Sequence, residues 1–245
     1  MKNTFTLFIT ALSLCFASTL RANIDVVFDL GGKYPSTGNV NNITTAPTAS
    51  PFTDYTTGES ISGMSFEAAG FYTYLYNSIS AWTGSTVDWV DDNIGDDGFM
   101  ANTNGGTATL TIRGLDASKN YKVELVSIGM NANATPVYIT EALKANGNWA
   151  DRTYNGVTGA SLQAWYANSY YSSSMGEDDF LIWDSVAAPD GVLTISLMDI
   201  SDFSVNTYVN GLRISTVPEP AQCAGAIGAV ALLGAQLRRR RKQAA

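Results

Sequence analysis

The sequence predicts an all-β protein, a jelly-roll β-sandwich, and three observations lead there. Apolar residues alternate with polar ones at a period of two in many short segments, as in strands with one buried face. These segments recur between clusters of Gly, Pro, Asn and Asp, the spacing of a sandwich rather than of alternating helices and strands. Helical periodicity is weak throughout, and no internal repeat is visible.

The elements follow in order. Ile24–Leu30 (IDVVFDL) is apolar and β-branched and reads as the first strand, ended by Gly31-Gly32. Residues 33–57 are rich in Ser, Thr, Asn and Pro, a long polar loop with one short strand around Val40–Thr44. Ser60–Trp82 alternates and carries aromatics, enough for one or two strands. Thr107–Leu115 places Ala108, Leu110 and Ile112 on one face, and Tyr121–Gly129 alternates again after a polar turn at Asp116–Asn120. These two are expected to pair as an antiparallel hairpin. Thr135–Thr140, Asp178–Val186, Gly191–Ile200 and Asn206–Ser215 are further strands, and Ala142–Trp149 is expected to form one helical turn.

The two ends differ from this pattern. Lys2 followed by the apolar run Phe5–Phe16 reads as a Sec signal peptide, cut after Ala22 or, as the alternative, after Thr19 with Ala17 at minus three, and passed by the Sec translocon. Its helix and a C-terminal transmembrane helix belong to the precursor. The latter is Ala221–Leu237, seventeen residues in which Gln222 and Gln236 are the strongly polar ones. A helix of that length spans roughly 25 Å, close to the minimum for a bilayer core. Arg238, Arg239, Arg240, Arg241 and Lys242 follow as a cytoplasmic stop. The domain organisation is therefore 1–22 signal, 23–215 β-sandwich, 216–245 tail.

Without its ends the chain keeps about 195 residues, enough to bury a core without disulfides. Cys15 and Cys223 both fall in the end segments. Asn23–Val217 carries 7 Lys/Arg and 21 Asp/Glu, so its net charge is 7 − 21 = −14, against −8 for the whole chain. Such a surface disfavours nucleic acid as a partner. The chain has no histidine, which excludes Ser-His-Asp and Cys-His chemistry and, with no cysteine between the ends, the usual zinc ligands. A carboxylate pair could still serve a glycosidase. Glu59, Glu67, Glu124, Glu141 and Glu177 are the glutamates available, and local sequence marks out no pair. Glu124 takes an outward strand position, and a non-catalytic protein is expected.

The tail motif Val217-Pro218-Glu219-Pro220, the apolar run and Arg238–Arg241 together resemble the PEP-CTERM sorting signal. The resemblance covers the last 29 residues. It implies processing by an exosortase of a Gram-negative bacterium, then delivery to the cell surface or extracellular matrix. Such tails sit on unrelated domains and carry an address, not an activity. Gly105–Gly129, Ala187–Leu197 and Tyr208–Ile214 resemble galactose-binding-like jelly-roll modules. That resemblance implies the sandwich fold and, in some members, carbohydrate binding and a structural calcium ion.

Two constellations are candidate sites. Val90–Phe99 holds Asp91, Asp92, Asp96 and Asp97, whose oxygens suit calcium, although the spacing is not that of an EF-hand. The same acids also suit a solvated loop in which one Asp caps a helical turn. Trp149, Tyr154, Trp165, Tyr166, Tyr170 and Tyr171 fall in the irregular stretch 144–174. Aromatic rings there could stack on sugar faces, or could cover one end of the sandwich. Trp82, Trp89 and Trp183 are assigned to the core or its edge. The expected role is a structural or adhesive one in contact with extracellular polysaccharide. A dedicated carbohydrate-binding module is the alternative.

Overall fold

The structure is a computed structural model. It describes residues 23–31, 34–44, 47–49, 51–72, 86–90, 93–94, 98–102, 107–126, 138–139, 141–153, 157–158, 165–166, 180–199 and 206–218. Residues 24–216 form one compact unit; a second unit comprises 1–23 and 217–245, of which Asn23, Val217 and Pro218 are described. Ala221–Leu237 lies outside the described residues. Among those described, no helix is long and apolar enough to cross a membrane.

In chain order the strands are β1 (Asp25–Leu30), β2 (Asn41–Ile43), β3 (Thr48–Ala49), β4 (Phe52–Thr53), β5 (Ser60–Ile61), β6 (Ser65–Ala69) and β7 (Phe71–Tyr72). Then follow β8 (Phe99–Asn102), β9 (Thr107–Arg113), β10 (Asn120–Val126), β11 (Tyr138–Ile139), β12 (Glu141–Ala145), β13 (Asn148–Trp149) and β14 (Arg152–Thr153). The last are β15 (Val157–Thr158), β16 (Trp165–Tyr166), β17 (Leu181–Ala187), β18 (Val192–Asp199), β19 (Asn206–Val209) and β20 (Gly211–Thr216). One sheet runs β15-β14-β17-β10-β20-β1-β2 and another β13-β12-β18-β9-β6-β3. The all-β expectation is met among the described residues.

The alternation read from sequence sets the core between these sheets. Phe28, Leu212, Ile214, Val123 and Leu125 from the seven-stranded sheet meet Phe66, Leu110, Ile112, Leu193 and Ile195 from the six-stranded one, all of them buried. Phe28 makes the bridge: its ring lies 5.2 Å from that of Phe66 and 5.3 Å from that of Phe52. Trp89 and Trp183 are buried, as assigned from sequence, while Trp82 lies outside the described residues.

The expected β9–β10 hairpin does not form. β9 pairs with β18 and β6, whereas β10 pairs with β17 and β20 in the opposite sheet. Gly114, at φ +82°, bends the chain out of β9, and residues 115–119 carry it across. Tyr121 fastens the far side: its hydroxyl accepts the Asp116 N–H (2.8 Å) and donates to the Asp116 carbonyl (3.1 Å). A tyrosine returning to backbone five residues upstream is a corner between sheets, not a hairpin. Asn206–Ser215, read as one strand, is two: β19 pairs with β8, and β20 joins the seven-stranded sheet after a break at Asn210.

Burial at the corner, countered in part by the Asp116 hydrogen bond, holds the Tyr121 phenol above its ordinary pKa of 10.0. The folded state therefore favours the neutral phenol. Its contribution to stability is complete below pH 10 and is lost as pH rises through the raised folded value. Tyr121→Phe is expected to lower stability at pH 7 by about 0.5–1.5 kcal/mol by removing the hydroxyl that the Asp116 N–H bonds; the Asp116 carbonyl keeps the Lys119 N–H at 3.1 Å. It should also flatten the fall in stability above pH 10. Urea titrations at pH 7 to 11 check this; equal alkaline slopes in both proteins would remove Tyr121 as the cause.

Candidate glycan-contact face

The outward positions of the six-stranded sheet follow from the inward ones. Ala145, Ile195 and Leu110 pair across three strands and are buried, so their neighbours Lys144, Ser196 and Thr109 lie on the outer face. The next outward rank is Thr194, Thr111 and Glu67, then Val192, Arg113 and Ser65. Thr109, Thr111, Thr194 and Ser196 make a half-buried block of hydroxyls at the centre. The Arg113 guanidinium reaches the Glu67 carboxylate at 3.4 Å, with both side chains about half exposed.

One aromatic completes this face, and its placement corrects the sequence reading. The helical turn expected at Ala142–Trp149 is absent, and Trp149 sits on a strand rather than in irregular chain. β12 and β13 form a hairpin whose turn is Asn146 (φ 45°) and Gly147 (φ 81°). Positive φ at both positions makes a type I′ turn, for which Asn-Gly is the preferred pair, and no helix accepts it.

Asn146 then locks the hairpin to the sheet. Its Nδ2 donates to the carbonyls of Ala187 (2.7 Å) and Val192 (3.0 Å), and its Oδ1 accepts the Thr194 N–H (2.8 Å). On the next residues the Trp183 indole donates to the Asn148 carbonyl (2.9 Å) and the Asp151 N–H to the Ile182 carbonyl (2.8 Å). The hairpin is thus held by both sheets. Trp149, cross-strand partner of Lys144, is 40% exposed and is the large apolar side chain exposed among the described residues. The Lys144 ammonium stands over its ring, 4.5 Å from the centroid.

Among the described residues, strand pairing links none of the other named aromatics to this sheet. Trp165 and Tyr166 form β16, which pairs with β11. Tyr154, Tyr170 and Tyr171 lie outside the described residues, as do Asp91, Asp92, Asp96 and Asp97. Val217 and Pro218 follow the last strand directly; Glu219, Pro220, Arg238, Arg239, Arg240 and Arg241 are outside. Among the described residues no group of three or more Asp, Glu, Cys or His side chains gathers to hold a metal.

A second constellation, unseen in sequence, occupies the outer face of the seven-stranded sheet. Arg213 on β20 grips Asp25 on β1 with two bonds of 2.8 Å. Its third nitrogen lies 3.8 Å from Asp88 and 3.9 Å from Glu124, and its guanidinium lies over the Tyr55 ring at 5.5 Å. The Asp25 hydrogen bonds, with the neighbouring carboxylates, raise the Arg213 pKa above its ordinary range. Glu124 is outward as expected yet 5% exposed, held by the Lys122 ammonium at 2.8 Å. Asp25 also accepts the Thr56 hydroxyl. The arrangement works as a clasp between first and last strands. Its one sequence sign was an arginine at an outward strand position of an acidic domain.

No family model matches the chain, and no curated protein matches it. Among solved structures it is similar to the CBM36-1 domain of a multidomain xylanase from the hindgut metagenome of Trinervitermes trinervoides. Identity is 19%, the match covers 49% of this chain and 79% of that one, and the TM-score is 0.28. That likeness is too slight to carry fold or function; the sandwich rests on the strand pairing described above.

Proposed function

We propose that this protein is an exported, non-catalytic component of the cell surface or extracellular matrix, and that it touches polysaccharide through Trp149. The observation that carries the reading is the exposed Trp149 ring on a hairpin anchored to both sheets, beside a block of Ser and Thr hydroxyls. A flat ring packs on the C–H face of a sugar, and neighbouring hydroxyls exchange hydrogen bonds with its own. A single ring suits weak, repeated contact along a polymer better than tight capture of one oligosaccharide. Export, exosortase processing and the surface address rest on the residue patterns at the two ends, Lys2–Ala22 and Val217–Arg241.

Affinity electrophoresis through gels carrying a panel of polysaccharides tests the contact. At least one glycan is expected to retard the protein, and Trp149→Ala should abolish the retardation while unfolding cooperatively like the parent. Retardation that survives Trp149→Ala would move the contact elsewhere, and no retardation by any glycan would remove it.

A further inference from the structure

We propose that Lys144 and Trp149 form a subsite for a carboxylate-bearing sugar, a uronate unit of an acidic polysaccharide; this rests on the glycan-contact reading above. The starting point is how this chain spends its cations. Asn23–Val217 holds 7 Lys/Arg among 21 Asp/Glu, so carboxylates are in threefold excess. Arg113, Lys122 and Arg213 each sit at one, at 3.4, 2.8 and 2.8 Å. Among the described residues, Lys144 instead faces the Trp149 ring.

An ammonium over an exposed indole gains about as much as one in an exposed ion pair. A ligand carboxylate can therefore recruit Lys144 at little cost. The ammonium carries three donors, and one turned toward the ring leaves others for a carboxylate. A pyranose stacked on the exposed part of Trp149 places its C5 carboxylate within reach of a charge 4.5 Å from the ring centroid. A neutral sugar would be served equally well by a hydroxyl at position 144.

The domain's net charge of −14 opposes a polyanion at long range. That field is screened beyond about 8 Å at physiological ionic strength. On the described outer face the one carboxylate, Glu67, is taken by Arg113, which leaves Lys144 to set the local sign.

The test uses the full chain in a sugar-free detergent, with polygalacturonate and alginate each compared with its ester, which keeps the backbone and masks the carboxylate. At least one acid polymer is expected to bind, with its ester at least fivefold weaker. Lys144→Gln should weaken the acid form about fivefold, the upper range for an exposed ion pair, and leave the ester unchanged; Lys144→Arg should retain the preference. Trp149→Ala should lose both forms, and Trp149→Phe, which keeps a ring, should retain part of the binding. Equal binding of acid and ester, still dependent on Trp149, would overturn the uronate assignment and leave the glycan contact standing. Failure of both acid polymers would overturn the assignment, and failure of the whole glycan panel would overturn the contact with it.

Discussion

Phe28→Ala is expected to destabilise the protein by about 3–5 kcal/mol, the range for emptying a buried aromatic site. Phe28 is fully buried on β1 and is the ring through which the two sheets meet, touching Phe66 across the sandwich and Phe52 beside it. The site has little freedom to collapse. β1 is held on one side by β20 through five paired positions and on the other by β2, so its backbone cannot move inward to fill the space. For a domain of this size the shift in Tm is on the order of 10 °C. Urea unfolding followed by tryptophan fluorescence reads it directly, because Trp89 and Trp183 are buried and report loss of the core. A loss below about 1 kcal/mol would mean that the sheets do not depend on this contact.

Gly114→Ala carries the second large effect, and for a different reason. Gly114 adopts φ +82°, which costs a side-chain-bearing residue about 1–3 kcal/mol. A methyl group there would also stand 2.0 Å from the Gly63 carbonyl oxygen and 3.1 Å from the Met64 Cα. These are backbone atoms and cannot rotate away, so the end of β9 and the start of β6 would have to part. Strain and overpacking together should cost about 3 kcal/mol or more. Gly38→Ala is the control: its φ is +79°, but nothing lies within 4 Å of the added carbon. Gly114→Ala should exceed Gly38→Ala by about 2 kcal/mol in the same urea titration. Equal costs would show that only the dihedral angle matters and that the chain crosses between sheets with room to spare.

The strands were legible where period-two alternation ran for six residues or more. Ala108, Leu110 and Ile112 in β9, and Tyr121, Val123 and Leu125 in β10, face inward as their spacing required. Partnership was not legible. β9 and β10 are consecutive, both amphipathic and joined by a short polar turn, the local signature of a hairpin. Which sheet each enters depends on a bond from the Tyr121 hydroxyl to the Asp116 backbone, and on strands β18, β17 and β20, which lie more than fifty residues away in sequence. The same limit hid the break at Asn210, where an apparently continuous strand passes between sheets.

The candidate face shows the division residue by residue. Trp149 was singled out from sequence for its chemistry, and the Asn146-Gly147 pair that positions it was an available hairpin signal. A weak helical period across Ala142–Trp149 obscured it. Nothing local marks Lys144, because its relation to Trp149 exists only once β12 and β13 are in register. Arg213 and Asp25 are 188 positions apart, and nothing local links them.

What the sequence determined by itself is what depends on composition and short-range order. It settled the strand-rich character, the inward and outward sets within each long strand, the absence of histidine chemistry and the acidity of the segment between the ends. The tertiary structure alone decided the strand partners, the clasp between first and last strands and the meeting of Lys144 with Trp149. The physical reason is that periodicity is a property of neighbours along the chain. Pairing in a sandwich is instead decided by hydrogen bonds and buried area contributed by residues far apart, and no short window of sequence contains both partners.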